Sequence, residues 1–296
     1  MRALPTLAAA TPVTRPRYAR FMTRLPLHLS IIVLLIVWVT PTVGLLVSSV
    51  RPANEAATSG WWTAFTPPLS FTVENYAQVM TRRGLGVSMM NSLLITIPAT
   101  ILTVGVAAYA AYAFAWMKFR GRDWLFLGVI ALLVVPLQIT LVPVLRLLNG
   151  LSLTGTFVGI WLVHLGYGLP FAIYLLRSFF AGLPKEMLDA AAIDGASPFM
   201  TFFRIVLPTS VPALASLALF EFVFNWNDLL SALVFLGGSR DVAPMTVAVS
   251  NLVASHGEGW QLLTAAAFLS MIIPLIVFFT MQRQFTRGIV AGSVKG

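Results

Sequence analysis

Six stretches of this chain stay apolar long enough to cross a lipid bilayer as helices, roughly 28–50, 88–117, 124–145, 157–177, 210–236 and 262–282. A helix needs about 20 such residues to traverse a hydrocarbon core of about 30 Å. Composition agrees: 58% of residues are hydrophobic and 10% charged, where a soluble domain carries about 25% charged residues, and the mean hydropathy is +0.87. A soluble globular fold is excluded. The expected fold is all-α, a polytopic membrane domain over 28–282 between a cytoplasmic N-terminal segment, 1–27, and a cytoplasmic tail, 283–296. The first run follows five arginines, as a secretory signal would. It extends from His28 to Val50, longer than the ~7–15 residues of a signal core, and is expected to remain as the first span.

The formal net charge of +9 does not point to nucleic acid, because the basic residues sit in short clusters at the ends of apolar runs. With the N-terminus inside, 14 of the 19 Lys and Arg residues fall on the cytoplasmic side and five outside, which places both termini in the cytoplasm. Cysteine is absent, and His28, His164 and His256 are scattered, so no metal site is expected. Prolines 41, 98, 136, 143, 170 and 274 lie within the apolar runs. Each removes a backbone donor and favours a kink, although proline is also commoner in membrane helices than in soluble ones.

The most informative connector is 178–209, long and moderately polar on the cytoplasmic side. Pro184 suits a first-turn position, Lys185 to Asp194 favour helix, and Gly195 can close that helix in a left-handed conformation. Ser197 can cap a second helix with Pro198 at its first position, and Phe199, Phe202 and Phe203 then share a face. An amphipathic hairpin lying on the membrane has the same pattern.

From Asp189 the spacing is Asp189-Ala190-Ala191, three residues, Gly195, nine residues, Ile205, one residue, Leu207-Pro208. It resembles the E-A-A-x3-G-x9-I-x-L-P motif of the permease subunits of ATP-binding-cassette (ABC) importers, with Asp189 where that family usually has Glu. The resemblance implies that Asp189, Ala190, Ala191, Asp194, Gly195, Phe199, Phe202, Ile205, Leu207 and Pro208 couple this chain to a separate ATPase subunit. The ending from Gln282-Arg283 through Arg287-Gly288 to Lys295-Gly296 is similar to that of the carbohydrate-uptake branch, maltose-permease-like, and 242–296 is most similar to alpha-glucoside permeases. Phe71-Thr72, Asn75-Tyr76, Asn91-Ser92-Leu93, Ala111 to Phe114, Phe119 to Arg122 and Trp226 to Asp228 also match in order. In such a subunit Arg283, Arg287, Lys295 and Gly296 would lie against the ATPase, whereas topology alone would ask the arginines only to anchor the last span.

No G-x-x-x-x-G-K-[ST] loop occurs in the chain, so ATP and Mg are expected on partner ATPase subunits and no cofactor here. The resemblance further implies a second permease, two ATPase copies and an extracytoplasmic sugar-binding protein. Within the fifth run, Glu221, Asn225 and Asp228 fall at i, i+4 and i+7 on one face, with Trp226 beside them. Polar groups at that depth must face the bundle or a wet cavity. They can bind sugar hydroxyls along the translocation path, or join helices. The alternatives to a carbohydrate importer are an ABC permease for another small solute, and a proton-coupled carrier in which Glu221 titrates.

Overall fold

The computed structural model describes residues 17–81, 84–239, 241–254 and 259–293, with side chains between 24 and 252 and between 259 and 283 within those ranges. The described residues form helices and turns, with no strand. The helices are α1 (Arg17–Ser49), α2 (Ala53–Thr58), α3 (Glu74–Thr81), α4 (Leu85–Trp116), α5 (Arg122–Leu132), α6 (Leu137–Gly150), α7 (Phe157–Phe180), α8 (Lys185–Ile193), α9 (Pro198–Thr201), α10 (Leu207–Thr209), α11 (Val211–Trp226), α12 (Leu230–Leu236), α13 (Met245–Ala254) and α14 (Trp260–Ser293).

Four of the expected spans are uninterrupted helices long enough to cross a membrane: the Arg24–Ser49 part of α1, α4, α7 and the Trp260–Arg283 part of α14. The other two are bent. The run 124–145 is not one helix but α5 and α6, meeting at 103°. Leu133, Val134 and Val135 tighten into i→i+3 hydrogen bonds, and Pro136 then supplies no N–H with which to continue. Prolines 41, 98, 143, 170 and 274 stay inside continuous helices, so of the six only Pro136 marks a break. The fifth run also differs from expectation. The α9–α10 segment meets α11 at 78°, α11 ends at Trp226, and Asp228 lies in the turn before α12. The sixth helix continues beyond 282 through Ser293, so much of the expected tail prolongs the last span.

The centre of the bundle is α4 against α7, with α11 and α14 packed beside them. One face of α4 is polar and buried: Ser88, Ser92, Thr96, Thr100 and Thr103 lie three or four residues apart and all turn inward. At one end, Tyr112 of α4, Leu176 and Phe180 of α7 and Leu217 of α11 close around Phe202 and Val206. At the other end, Arg51 is buried beyond α1 and gathers the segment from α2 to Thr63. It donates to the carbonyls of Ser59 and Gly60 and to the hydroxyls of Ser59 and Thr63.

Candidate functional site: the coupling hairpin and the polar seam

Between α7 and α11 the chain projects as a helical hairpin whose turn follows from its backbone chemistry. The N–H of Gly195 bonds the carbonyl of Ala192 at 3.1 Å, and that of Ala196 bonds Ala191 at 2.9 Å. This pair of bonds is the Schellman closure, and it needs a left-handed residue after the cap. Gly195 provides it at φ +77°. The Ser197 hydroxyl then accepts the Met200 N–H at 3.3 Å, with Pro198 opening α9. Phe202–Val206 continues as one π-type turn, widening the helix where it meets the bundle.

This hairpin has an exposed tip and a fixed root. Asp189, Ala190, Asp194, Gly195 and Phe199 lie toward the outside, and Asp189 is 3.8 Å from Lys185 in a solvent-facing pair of little energetic weight. Ile205 and Leu207 are half-buried and Pro208 is exposed. Two expected contact residues turn the other way. Ala191 is buried. Phe202 is 3% exposed and packs on Tyr109 and Tyr112 of α4, with ring centroids 5.3 and 5.4 Å away. The face predicted for Phe199, Phe202 and Phe203 is therefore split between the core and the outside. Phe199 and Phe203 stay outside, 4.5 Å apart, beside a groove of 890 Å³ lined also by Gly105, Leu207 and Pro208. Arg287, Lys295 and Gly296 lie outside the described side chains; Arg283 lies at the end of the membrane-spanning part of α14.

Residues 103–290 match the family described as the binding-protein-dependent transport system inner membrane component. This chain belongs to that family. It is thus a multi-pass membrane permease of the ABC importer type. Its relatives include the osmoprotective compounds uptake permease protein GgtD of Synechocystis sp., 52% identical over 94% of this chain and 95% of that protein. The alpha-glucoside transport system permease protein AglG of Rhizobium meliloti is 38% identical over 91% and 96%. The fold is shared with a chain from the crystal structure of a bacterial ABC transporter involved in the import of the acidic polysaccharide alginate, at a TM-score of 0.75 over 93% of this permease and 99% of that chain, with 19% identity.

The permease's fifth span holds Glu221 and Asn225 buried inside the subunit. Glu221 is 1% exposed and Asn225 4%, against the polar seam of α4, and the Asn225 amide donates to Thr100 at 3.4 Å. Trp226 is buried too, its indole N–H bonded to the Ser270 carbonyl of α14 at 3.0 Å, so it offers no free aromatic platform. Asp228 pairs with His164 of α7. Asn225, Trp226 and Asp228 thus each bond a neighbouring helix, whereas Glu221 Oε2 is buried without a hydrogen-bond partner. His164 had no sequence signal beyond being a lone histidine in an apolar run. Gly168 had none at all, although its missing side chain makes room for Glu221 Oε2 and Thr103. The α4 ladder was legible as a run of Ser and Thr at helical spacing.

Proposed function

We infer that this permease is one of two membrane subunits of an ATP-driven importer of carbohydrate, with both termini and the 178–209 hairpin in the cytoplasm. The observation that carries the reading is the hairpin itself. Its tip, Asp189 to Phe199, is free to seat on another protein, while its root, Phe202 to Val206, is locked among α4, α7 and α11. Displacement of the tip is thereby passed to the helices that bound the path. Two copies of an ATPase subunit, holding ATP and Mg, would drive it, with Gln282 to Gly296 alongside them. A second permease would complete the pore and an extracytoplasmic binding protein would deliver the cargo. The carbohydrate assignment draws on AglG and on the arabinooligosaccharides permease AraQ of Halalkalibacterium halodurans, 32% identical to this chain. The cargo named for GgtD, osmoprotective compounds of no stated chemical class, supports a second reading, import of a small osmoprotective solute.

One experiment tests both. The native complex is purified through this chain, its subunits are identified, and uptake of alpha-glucosides is compared with uptake of a quaternary-ammonium osmoprotectant. An ATPase in the complex together with glucoside uptake supports the first reading. Exclusive uptake of the ammonium solute supports the second, and a complex without an ATPase refutes both.

A further inference from the structure

The bend between α5 and α6 poses a solvation problem that the isolated subunit leaves open. Leu132 to Pro136 all lie exposed, Val134 at 81%. Pro136 has no N–H, and the N–H groups of Leu137 and Gln138 have no preceding turn to accept them, because the chain before them turns away by 103°. Hydrocarbon cannot satisfy such backbone, so a break within a span is tolerated only against protein or along water. Gln138, exposed in the first turn of α6, adds an amide with the same requirement.

Beside the bend is a cavity of 430 Å³, within the range of about 300–1,000 Å³ typical of small-molecule sites. Its polar wall is a pair of hydroxyls from two different helices. Thr140 Oγ1 donates to the Leu137 carbonyl at 2.6 Å and stands 2.9 Å from the Tyr167 hydroxyl. With the Thr140 proton on Leu137, Tyr167 is the donor between the two. Both protons are then committed, and the pair offers the cavity only acceptor lone pairs. Phe224, 48% exposed, adds an aromatic face. Acceptors beside aromatic rings suit a ligand that is rich in O–H donors and has apolar C–H faces, which describes a sugar ring. A crevice meant for lipid would need neither the hydroxyl pair nor the broken main chain.

We propose that the α5–α6 bend and its cavity, with Thr140, Tyr167 and Phe224, form this subunit's sugar-contacting wall of the translocation path. The proposal rests on the carbohydrate reading above and moves the contact away from Glu221 and Asn225. Because the sequence contains no cysteine, single cysteines report cleanly by the mass shift of this chain. The test uses the complete transporter in proteoliposomes, a membrane-impermeant maleimide, and a set of competing alpha-glucosides.

Val134→Cys is expected to label in at least one nucleotide state, and glucoside to slow the labelling of Thr140→Cys. Tyr167→Phe and Thr140→Val are expected to shift the uptake ratio between glucosides by about threefold to tenfold, the worth of one hydrogen bond. If one variant fails to assemble, the other carries this arm. The proposal is overturned if Val134→Cys stays unlabelled in every state, or if assembled variants keep the wild-type ratios. A wild-type complex that takes up no glucoside overturns the carbohydrate reading instead, and the labelling of Val134→Cys still decides whether the bend faces water.

Discussion

His164 Nε2 and Asp228 Oδ2 lie 2.9 Å apart, tying α7 to the turn where the fifth span breaks between α11 and α12. Asp228 is shared three ways: its other carboxylate oxygen accepts the Ser231 N–H at 3.1 Å, and its carbonyl accepts the Thr246 hydroxyl at 3.1 Å. Removing one partner leaves the other buried and unsatisfied, at about 1–3 kcal/mol. His164→Ala and Asp228→Ala should each lower the thermal stability of the purified complex. The double variant should lose less than the two separate losses together, by about 0.5–3 kcal/mol of coupling. Strict additivity in thermal unfolding would show that the pair does not act as a unit.

Gly168 of α7 lies against Glu221 and Thr103. A methyl group there would sit 2.7 Å from Glu221 Oε2 and 3.0 Å from Thr103 Cγ2, and Glu221, at 1% exposure, has little room to retreat. Gly168→Ala should therefore destabilise the permease by about 1–3 kcal/mol through overpacking. Thr103→Ser deletes the Cγ2 methyl and should recover part of the loss in the Gly168→Ala background. Melting curves of the two single variants and the double variant measure this. A double variant no better than Gly168→Ala alone would mean that Glu221, rather than Thr103, sets the clash.

At the hairpin tip, a side chain added at Gly195 would meet nothing within 4 Å of its own subunit, yet the backbone there is left-handed at φ +77°. Asn tolerates that conformation far better than a bulky residue. Gly195→Asn should fold normally, and Gly195→Trp should still reach the membrane. Uptake should fall for Gly195→Trp through obstruction of the ATPase contact. Asp189→Glu should keep wild-type uptake. Membrane abundance measured beside uptake separates docking from folding, and wild-type uptake by a normally abundant Gly195→Trp would remove the hairpin from the coupling route.

How much of the fold and site was legible in the sequence depended on whether the signal was local. Four spans are decided by one apolar run each, and the Gly195 turn, the Ser197 cap and the Pro198 start within a few residues, and each of these appears where its chemistry requires. The break at Pro136 was half legible. Six prolines looked alike in sequence, and Pro136 is set apart by the tightening of Leu133 to Val135 just before it. The inward turn of Phe202 was hidden because neighbours such as Phe202 and Phe203 stand about 100° apart on a helix, so one apolar stripe can be divided between core and outside, and spacing does not say where the division falls. The partners of Asn225 and Asp228 lie on α4 and α7, more than 50 residues away in sequence, and no local pattern records such pairings.

Arg51 counts among the five basic residues that the proposed topology puts on the outer side, against the positive-inside bias, and its burial would explain why it is tolerated there. Its guanidinium is 2% exposed and forms four hydrogen bonds of 2.7 to 3.2 Å to Ser59, Gly60 and Thr63, fixing the segment after α1. The main chain of this knot is held as well: Asn75 donates to the carbonyls of Ser49 and Arg51 at 2.9 and 2.8 Å. Lysine carries the same charge but has no planar fork with which to reach two carbonyls and two hydroxyls together, so Arg51→Lys is not conservative here. It should leave groups of the knot unsatisfied at about 1–3 kcal/mol and loosen residues 52–66. The measurement is limited proteolysis of intact spheroplasts, in which a protease outside the membrane reaches only this side. Faster cleavage within 52–66 in Arg51→Lys is the expected result, with insertion of the permease unchanged. Cleavage at the wild-type rate would mean that the Asn75 bonds alone hold the segment, and cleavage only after the membrane is broken would place it on the cytoplasmic side and reverse the topology.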